Sequence, residues 1–349
     1  MTQTRLKDIG WHAHFQAQLS DQLSDFLPVR VLAVHRDALE VVGDNFEGRI
    51  RPPIADNDDQ GTATTGDWLL LDPETKSVKH ILDRRSLFKR KSAGSTRRVQ
   101  LIAANVDTLL LVTSANFDFN VARLERYLAL AAEAEVTPLV IITKSDLVED
   151  ISPFVDEARS LMRGLIVEPI DARNPNSLKC LQPWFAPGQT LALIGSSGVG
   201  KSTILNTIRG EPLQHTAEIR ETDSRGRHTT TGRSLHLLPN GAWLMDTPGM
   251  RELQIVDAAA GLDEVFSDIA ALATTCRFTD CQHHDEPGCA IRQAIETGAI
   301  DPDRLRRYAK LQREEHRNSE SIAEARARSR KFGKQARHVF EHKLKNRDW

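Results

Sequence analysis

Two short runs in this chain could do chemistry together. Gly195-Ser196-Ser197-Gly198-Val199-Gly200-Lys201-Ser202 has the Gly-x4-Gly-Lys-Ser spacing, in which glycines let successive backbone N–H groups curl around phosphate oxygens at a helix N-terminus. In such a loop Lys201 reaches the β- and γ-phosphates, Ser202 offers its hydroxyl to Mg²⁺, and Thr203 can hydrogen-bond the α-phosphate. Thr143-Lys144-Ser145-Asp146 suits a base. The Asp146 carboxylate can accept two hydrogen bonds from the ring N–H and amino group of guanine, a pattern adenine does not offer, while the stem of Lys144 packs over the ring. Thr143 stands where many GTP-binding chains carry Asn. Asp171-Ala172 stands where they carry Ser-Ala; the Ala172 amide can still meet guanine O6, and Asp171 is a departure. The base-reading run precedes the phosphate loop by 49 residues. That is the reverse of the ordinary order and marks a circularly permuted domain.

Three further groups bear on the same chemistry. Asp246-Thr247-Pro248-Gly249 follows a short apolar run, so Asp246 can hold a Mg²⁺-bound water and the Gly249 amide can sense a γ-phosphate. Arg225-Gly226-Arg227-His228-Thr229-Thr230-Thr231 reads as a switch loop, in which Thr230, in preference to Thr229, completes the Mg²⁺ shell. Met250 occupies the place of the glutamine that orients water in many GTPases. Slow intrinsic hydrolysis is therefore expected. His228 is the nearest polar candidate to position water, and a surface histidine of the loop is an equal reading. Finally, Cys276-x4-Cys281-x-His283-x5-Cys289 supplies three thiolates and one imidazole, a closed tetrahedral shell for structural Zn²⁺. The neighbouring His284 competes with His283 as the fourth ligand.

Elements of three kinds must position these groups. From about residue 28 to 90, short β-rich runs such as Val29 to Val34, Leu39 to Val42 and Trp68 to Leu71 alternate with Gly, Pro, Asn and Asp, the pattern of a small antiparallel barrel. From Val106 the pattern becomes strand, helix, strand, helix, which calls for a parallel sheet with helices on both faces. After Asp301 the chain is mostly helix-forming. The expected division is a 1–27 extension, a 28–98 barrel, a 99–257 α/β nucleotide domain and a 258–349 zinc-binding helical module with a basic tail. With 349 residues the chain is long enough for such a multidomain arrangement.

Charge and composition narrow the partners. The net charge is −2, yet residues 301–349 hold 15 Lys/Arg against 8 Asp/Glu, so a basic tail follows an acidic body and a polyanionic partner is expected. Arg304, Arg306, Arg307, Lys310, Arg313 and Arg317 recur at helical spacing, and Arg84, Arg85, Lys89, Arg90, Lys91, Arg97 and Arg98 crowd the barrel exit. RNA contact is the reading for the cluster at the barrel exit, and contact with RNA or a ribosomal protein for the helical row. No run approaches the roughly 18 apolar residues of a membrane span, and the N-terminus has no signal-peptide apolar segment; a cytoplasmic location without membrane contact is expected. Three of the four cysteines sit in the metal cluster while Cys180 stands apart, which suits a reducing compartment.

Barrel, permuted nucleotide domain and zinc module in this order resemble the ribosome small-subunit-dependent GTPase A family, known as RsgA or YjeQ, over about residues 28 to 345. The resemblance rests on Gly66-Asp67-Trp68, Gln100 to Asp107, Gly226 to Thr231, Asp246 to Gly249 and the Cys276 to Cys289 cluster. It implies an OB-fold barrel, GTP hydrolysis stimulated by the small ribosomal subunit, and a late role in maturing that subunit through its rRNA. It also favours His283 as the zinc ligand and a hydrophobic residue at position 250. A monomer that cycles between GTP and GDP is the resulting expectation. Two other classes remain open from the residues: a ribosome-independent GTPase or kinase acting on a small molecule, and an RNA-binding scaffold for which GTP is only a ligand.

Overall fold

The structure is a computed structural model of the chain and describes residues 6–20, 23–53, 62–91, 99–209, 233–246 and 258–319. The N-terminal segment carries a 3-10 turn over Leu6–Ile9 and one turn of α-helix, α1 (Ala13–Gln16). Five antiparallel strands follow: β1 (Leu27–Val34), β2 (Leu39–Gly43), β3 (Phe46–Ile50), β4 (Trp68–Leu71) and β5 (Val78–Ile81), in the spatial order β3-β2-β1-β4-β5. Period-two alternation explains why all four residues of β4 are buried. Leu69 and Leu71 face a core with Val29, Val31, Leu39 and Val41, while Trp68 and Leu70 join the main core. Trp68 is covered from outside by Trp11, edge-on at 4.7 Å, and by Phe15. The N-terminal segment thus closes a hydrophobic seam.

A hairpin of β6 (Leu87–Lys91) and β7 (Val99–Ala104) leads onward. Its two strands pair across the expected 98/99 boundary. Next come β8 (Thr108–Ser114), α2 (Val121–Glu133), β9 (Thr137–Thr143), α3 (Ser152–Arg159), β10 (Ile166–Pro169), β11 (Thr190–Ile194), α4 (Lys201–Arg209), β12 (Arg233–Leu237) and β13 (Trp243–Asp246). The order β10-β9-β8-β11-β13 is parallel. Its strands read as continuous apolar runs because both faces are covered: Leu109, Leu111, Val140 and Ile142 point to the side of α2, while Leu110, Val112, Leu139 and Ile141 point to the side of α4. Asn120 caps α2 by accepting from the Arg123 amide at 2.9 Å.

The five N-terminal strands are not a separate sheet. β12 runs antiparallel to β13 and leaves an open edge, onto which the end of β1 hydrogen-bonds at Ala33↔Ser234 and Val34↔Arg233. Among the described residues eleven strands therefore share one sheet. Arg30, fully buried on β1, reinforces the junction: it donates to the Ile9 carbonyl at 2.6 Å, to Thr190 Oγ1 at 2.7 Å and to the Asn105 carbonyl at 3.3 Å. Burial pulls its guanidinium down to about 10. Two of the basic residues that follow β5 also serve the interior. Arg84 clamps the buried Asp67 carboxylate at 2.7 and 2.8 Å, and Arg85 pairs with Asp107.

The C-terminal part is helical: α5 (Ala259–Val265), α6 (Ser267–Ala273), α7 (Ala290–Glu296) and α8 (Pro302–Ser319). α5 lies against α2 so closely that a Cβ at Gly261 would sit 2.3 Å from the Ala129 carbonyl oxygen, so only glycine fits there. α8 docks through ions as well as Tyr308 and Leu311. Glu125 of α2, fully buried, accepts from Arg304 at 3.1 Å and Arg307 at 2.6 Å, and Arg126 pairs with Glu314 at 2.5 and 2.6 Å. Among the described residues, no helix is long and apolar enough to cross a membrane.

Candidate functional site

Four parallel strands, β9, β10, β8 and β11, end on one edge of the sheet, and the base-reading and phosphate-type runs emerge there side by side. β9 runs into Lys144, held at φ 60, a left-handed turn that costs a non-glycine residue about a kcal/mol or more. The turn continues as Ser145–Leu147, with the Ser145 amide on the Ile170 carbonyl at 3.3 Å. Past β10, the Asp171 carboxylate accepts from the Arg173 amide at 2.9 Å, and the Ala172 carbonyl accepts from Thr207 Oγ1 of α4 at 2.7 Å. Asp171 therefore closes a local turn where a serine is usual. Among the described residues the Ala172 amide donates to nothing.

The loop from β11 to α4 has the backbone its glycines permit. A Cβ at Gly195 would lie 2.2 Å from the Val112 carbonyl oxygen, and Gly198 and Gly200 have φ of 76 and 99. Val199 is buried in the core on the α4 side. Lys201 Nζ donates to the Gly195 carbonyl at 2.9 Å and to that of Ser196, which holds the ammonium over the loop. Ser196 Oγ is buried with no partner among the described residues.

One side chain joins the two runs. Thr143 Oγ1, fully buried, donates to the Val199 carbonyl of the phosphate-type loop at 2.6 Å, with the Thr113 carbonyl of β8 at 3.1 Å as a second acceptor. A hydroxyl has one proton, so the shorter bond is the principal one. Around this tie opens a cavity of about 490 Å³. Lys144, Asp146 and Ala172 line one side, Gly198, Gly200, Lys201, Ser202 and Thr203 the other, with Thr143 between them. Leu147, Asp171 and Arg173 also line it. The sequence marks Leu147 and Arg173 only by their adjacency to Asp146 and Ala172. The cavity can seat a purine nucleotide with its base at Asp146 and its phosphates at the start of α4.

The backbone of Asp246 ends β13, beside β11 on the same edge. Its side chain, and His228, Thr229, Thr230, Gly249 and Met250, lie outside the described residues. So do Arg97, Arg98 and the chain beyond Ser319.

A second cluster lies on the helical part. Cys276 Sγ, Cys281 Sγ, His283 Nδ1 and Cys289 Sγ all fall within 4.8 Å of one another, and it is His283, not His284, that belongs to the group. A tetrahedral ion with Zn–S near 2.3 Å and Zn–N near 2.05 Å requires S to S edges of about 3.8 Å and S to N edges of about 3.6 Å. The structure has 4.0 Å from Cys276 to Cys289, and 3.7 and 3.5 Å from His283 Nδ1 to Cys276 and Cys289. The donor set therefore fits one metal ion, and the sulfurs are too far apart for a disulfide. Cys289 also caps α7, its sulfur accepting from the Arg292 amide at 3.5 Å, a support from outside the ligand set.

Comparison with known proteins agrees with this geometry. A family model described as RsgA GTPase matches residues 81–256. The chain is 47% identical over 341 residues to the small ribosomal subunit biogenesis GTPase RsgA 2 of Vibrio vulnificus, covering 97% of this chain and 96% of that one. It is 46% identical over 317 residues to the protein of Mesorhizobium japonicum called small ribosomal subunit biogenesis GTPase RsgA, covering 90% and 91%. Among solved structures, YjeQ from Thermotoga maritima superposes with a TM-score of 0.60 at 24% identity, over 82% of this chain and 97% of that one. YloQ, described as a circularly permuted GTPase, superposes with a TM-score of 0.58 at 23% identity, over 87% and 99%. These two likenesses establish the permuted fold.

Proposed function

The chain belongs to the RsgA GTPase family, and from that premise we propose that its hydrolysis of GTP is stimulated by the small ribosomal subunit, whose late maturation it serves by binding rRNA. The family makes the chain a GTPase of small ribosomal subunit biogenesis. The observation that carries its nucleotide chemistry is a cavity in which a guanine-type wall and a phosphate-type loop are tied by Thr143.

In this reading Asp146 accepts from the guanine ring N–H and amino group, Lys144 covers the base and the Ala172 amide meets O6. The amides from Gly195 to Gly200 cradle the phosphates, with Ser196, Ser197 and Val199 completing the loop. Lys201 neutralises the β- and γ-oxygens, and Thr203 takes the α-phosphate. Ser202, Asp246 and Thr230 would hold Mg²⁺, which supplies charge neutralisation between the phosphates when bound. Thr230 and the Gly249 amide register the γ-phosphate, and His228, helped by the geometry of the bound rRNA, positions the attacking water. Hydrolysis then releases the factor. Cys276, Cys281, His283 and Cys289 hold one Zn²⁺ in a shell with no open position, so the ion is structural. An OB-type barrel over 28–98, a nucleotide domain over 99–257 and a zinc module with basic tail over 258–349 complete the proposal, for a monomer working in the cytoplasm.

Exchanging the base acceptor tests the site. Asp146→Asn places an amide donor against the guanine amino group but suits the O2 of xanthine. GTP affinity should fall at least about a hundredfold, with XTP bound in its place. Undiminished GTP binding by the folded variant would refute the assignment.

A further inference from the structure

Six cations of α8 look alike in the sequence, but the structure separates them into two sets. Arg304 and Arg307 point inward: Arg304 donates to Glu125, to Asp268 at 2.8 Å and to the Val265 carbonyl at 2.9 Å, and lies over the Phe266 ring at 4.8 Å. Both are held by the buried carboxylate of α2. They fix the helix, and their charge is committed to that carboxylate.

The other four are exposed. Arg306, Lys310, Arg313 and Arg317 follow the spacing i, i+4, i+7, i+11, which at 3.6 residues per turn keeps them within about 60° of one another along about 16 Å of helix. Arg313 and Arg317 lay their Nε groups on the carbonyls one turn back, at 3.0 and 3.1 Å, so the stems run along the helix. Lys310 makes no hydrogen bond or ion pair among the described residues. Arg306 pairs with Asp303, 73% and 58% exposed; such a surface pair is worth little and yields readily to a competing anion. The other carboxylates of α8 are occupied, Glu314 by Arg126 and Glu315 by Ser319 Oγ at 2.6 Å. The face carries Pro302 and Ala309 but no large apolar side chain.

We propose that this row is a docking surface for the phosphate backbone of RNA, gripping the small subunit's rRNA by charge and without reading sequence. The inference rests on the function proposed above and gives the grip its residues. A protein partner would need a desolvated apolar or aromatic anchor at the centre of the patch, which this face lacks. A polyanion needs only a row of cations on a rigid support. Helix α8 provides that support because Arg304, Arg307 and Glu314 lock it onto α2 of the nucleotide domain.

The test compares the zinc-loaded full chain with a variant carrying R306Q, K310Q, R313Q and R317Q. Both are titrated onto mature small ribosomal subunits and onto a short RNA duplex between about 50 and 200 mM salt. Each lost phosphate contact removes about 0.7 to 0.9 from the log–log salt slope. The variant should therefore show a slope shallower by about 3 on both probes, and binding weaker by up to about a thousandfold near 0.1 M salt. Its GDP affinity should be that of the parent chain. K310Q alone should remove about one contact, which guards against a folding defect in the fourfold variant. An unchanged slope on both probes would overturn the proposal, and so would a parent chain that binds neither. An unchanged slope with lost stimulation of hydrolysis would reassign the row to an acidic protein. A parent chain that grips the duplex but ignores the subunit would sink the ribosomal reading, while the duplex slopes still decide the row.

Discussion

Thr143→Val removes one hydroxyl and keeps the branched shape that fits the end of β9. In the parent chain that hydroxyl spans 2.6 Å to the Val199 carbonyl, in a place fully closed to water. The substitution leaves a buried acceptor unpaired, a loss of about 1 to 3 kcal/mol. Because the bond holds the phosphate-type loop against the base-reading strand, ordering that loop on binding must then be done by the nucleotide. GDP affinity should drop by about 5- to 150-fold, read by displacement of a fluorescent GDP analogue. Thr143→Ser keeps the donor and should lie near the parent chain. The preference for GTP over ATP should persist in both, because Asp146 is untouched. Parent-like GDP affinity in a folded Thr143→Val would show that the tie does not position the loop.

Two other outcomes follow from the same geometry. Glu125→Gln should destabilise the packing of α8 on α2 by about 3 to 5 kcal/mol, since two arginines would lose their buried counter-charge; accelerated hydrogen exchange along α8 with unchanged GDP affinity is the expected result. His283→Ala should lose the metal and His284→Ala should keep it, as measured by zinc content per chain, and chelation of the parent should raise exchange in α6 and α7 while sparing the nucleotide cavity.

Much of the nucleotide edge was legible because its signals are local. Glycine spacing, a lysine at the helix start and a preceding apolar strand specify the phosphate loop within one window, and β4 occupies the range Trp68–Leu71 that its apolar run suggests. Features set by distant partners were not legible. Arg304 and Arg306 differ in sequence only by helical phase, and what turns Arg304 inward is Glu125, 179 residues away. Arg84 and Arg85 read as part of a basic surface, yet the buried carboxylates of Asp67 and Asp107 claim them. The continuity of β1 with β12 is likewise a pairing of edges, about which neither strand's own residues say anything. Thr143 is an intermediate case: its departure from the usual asparagine was plain, whereas its bond to Val199 required the fold.

The most direct measurement is the rate of GTP and ATP hydrolysis by the purified zinc-loaded chain, with and without mature small ribosomal subunits at moderate salt. The account predicts a slow, GTP-selective rate that rises by orders of magnitude when the small subunit is added and is unmoved by the large one. A rate indifferent to the small subunit, at concentrations where binding is complete, would contradict it.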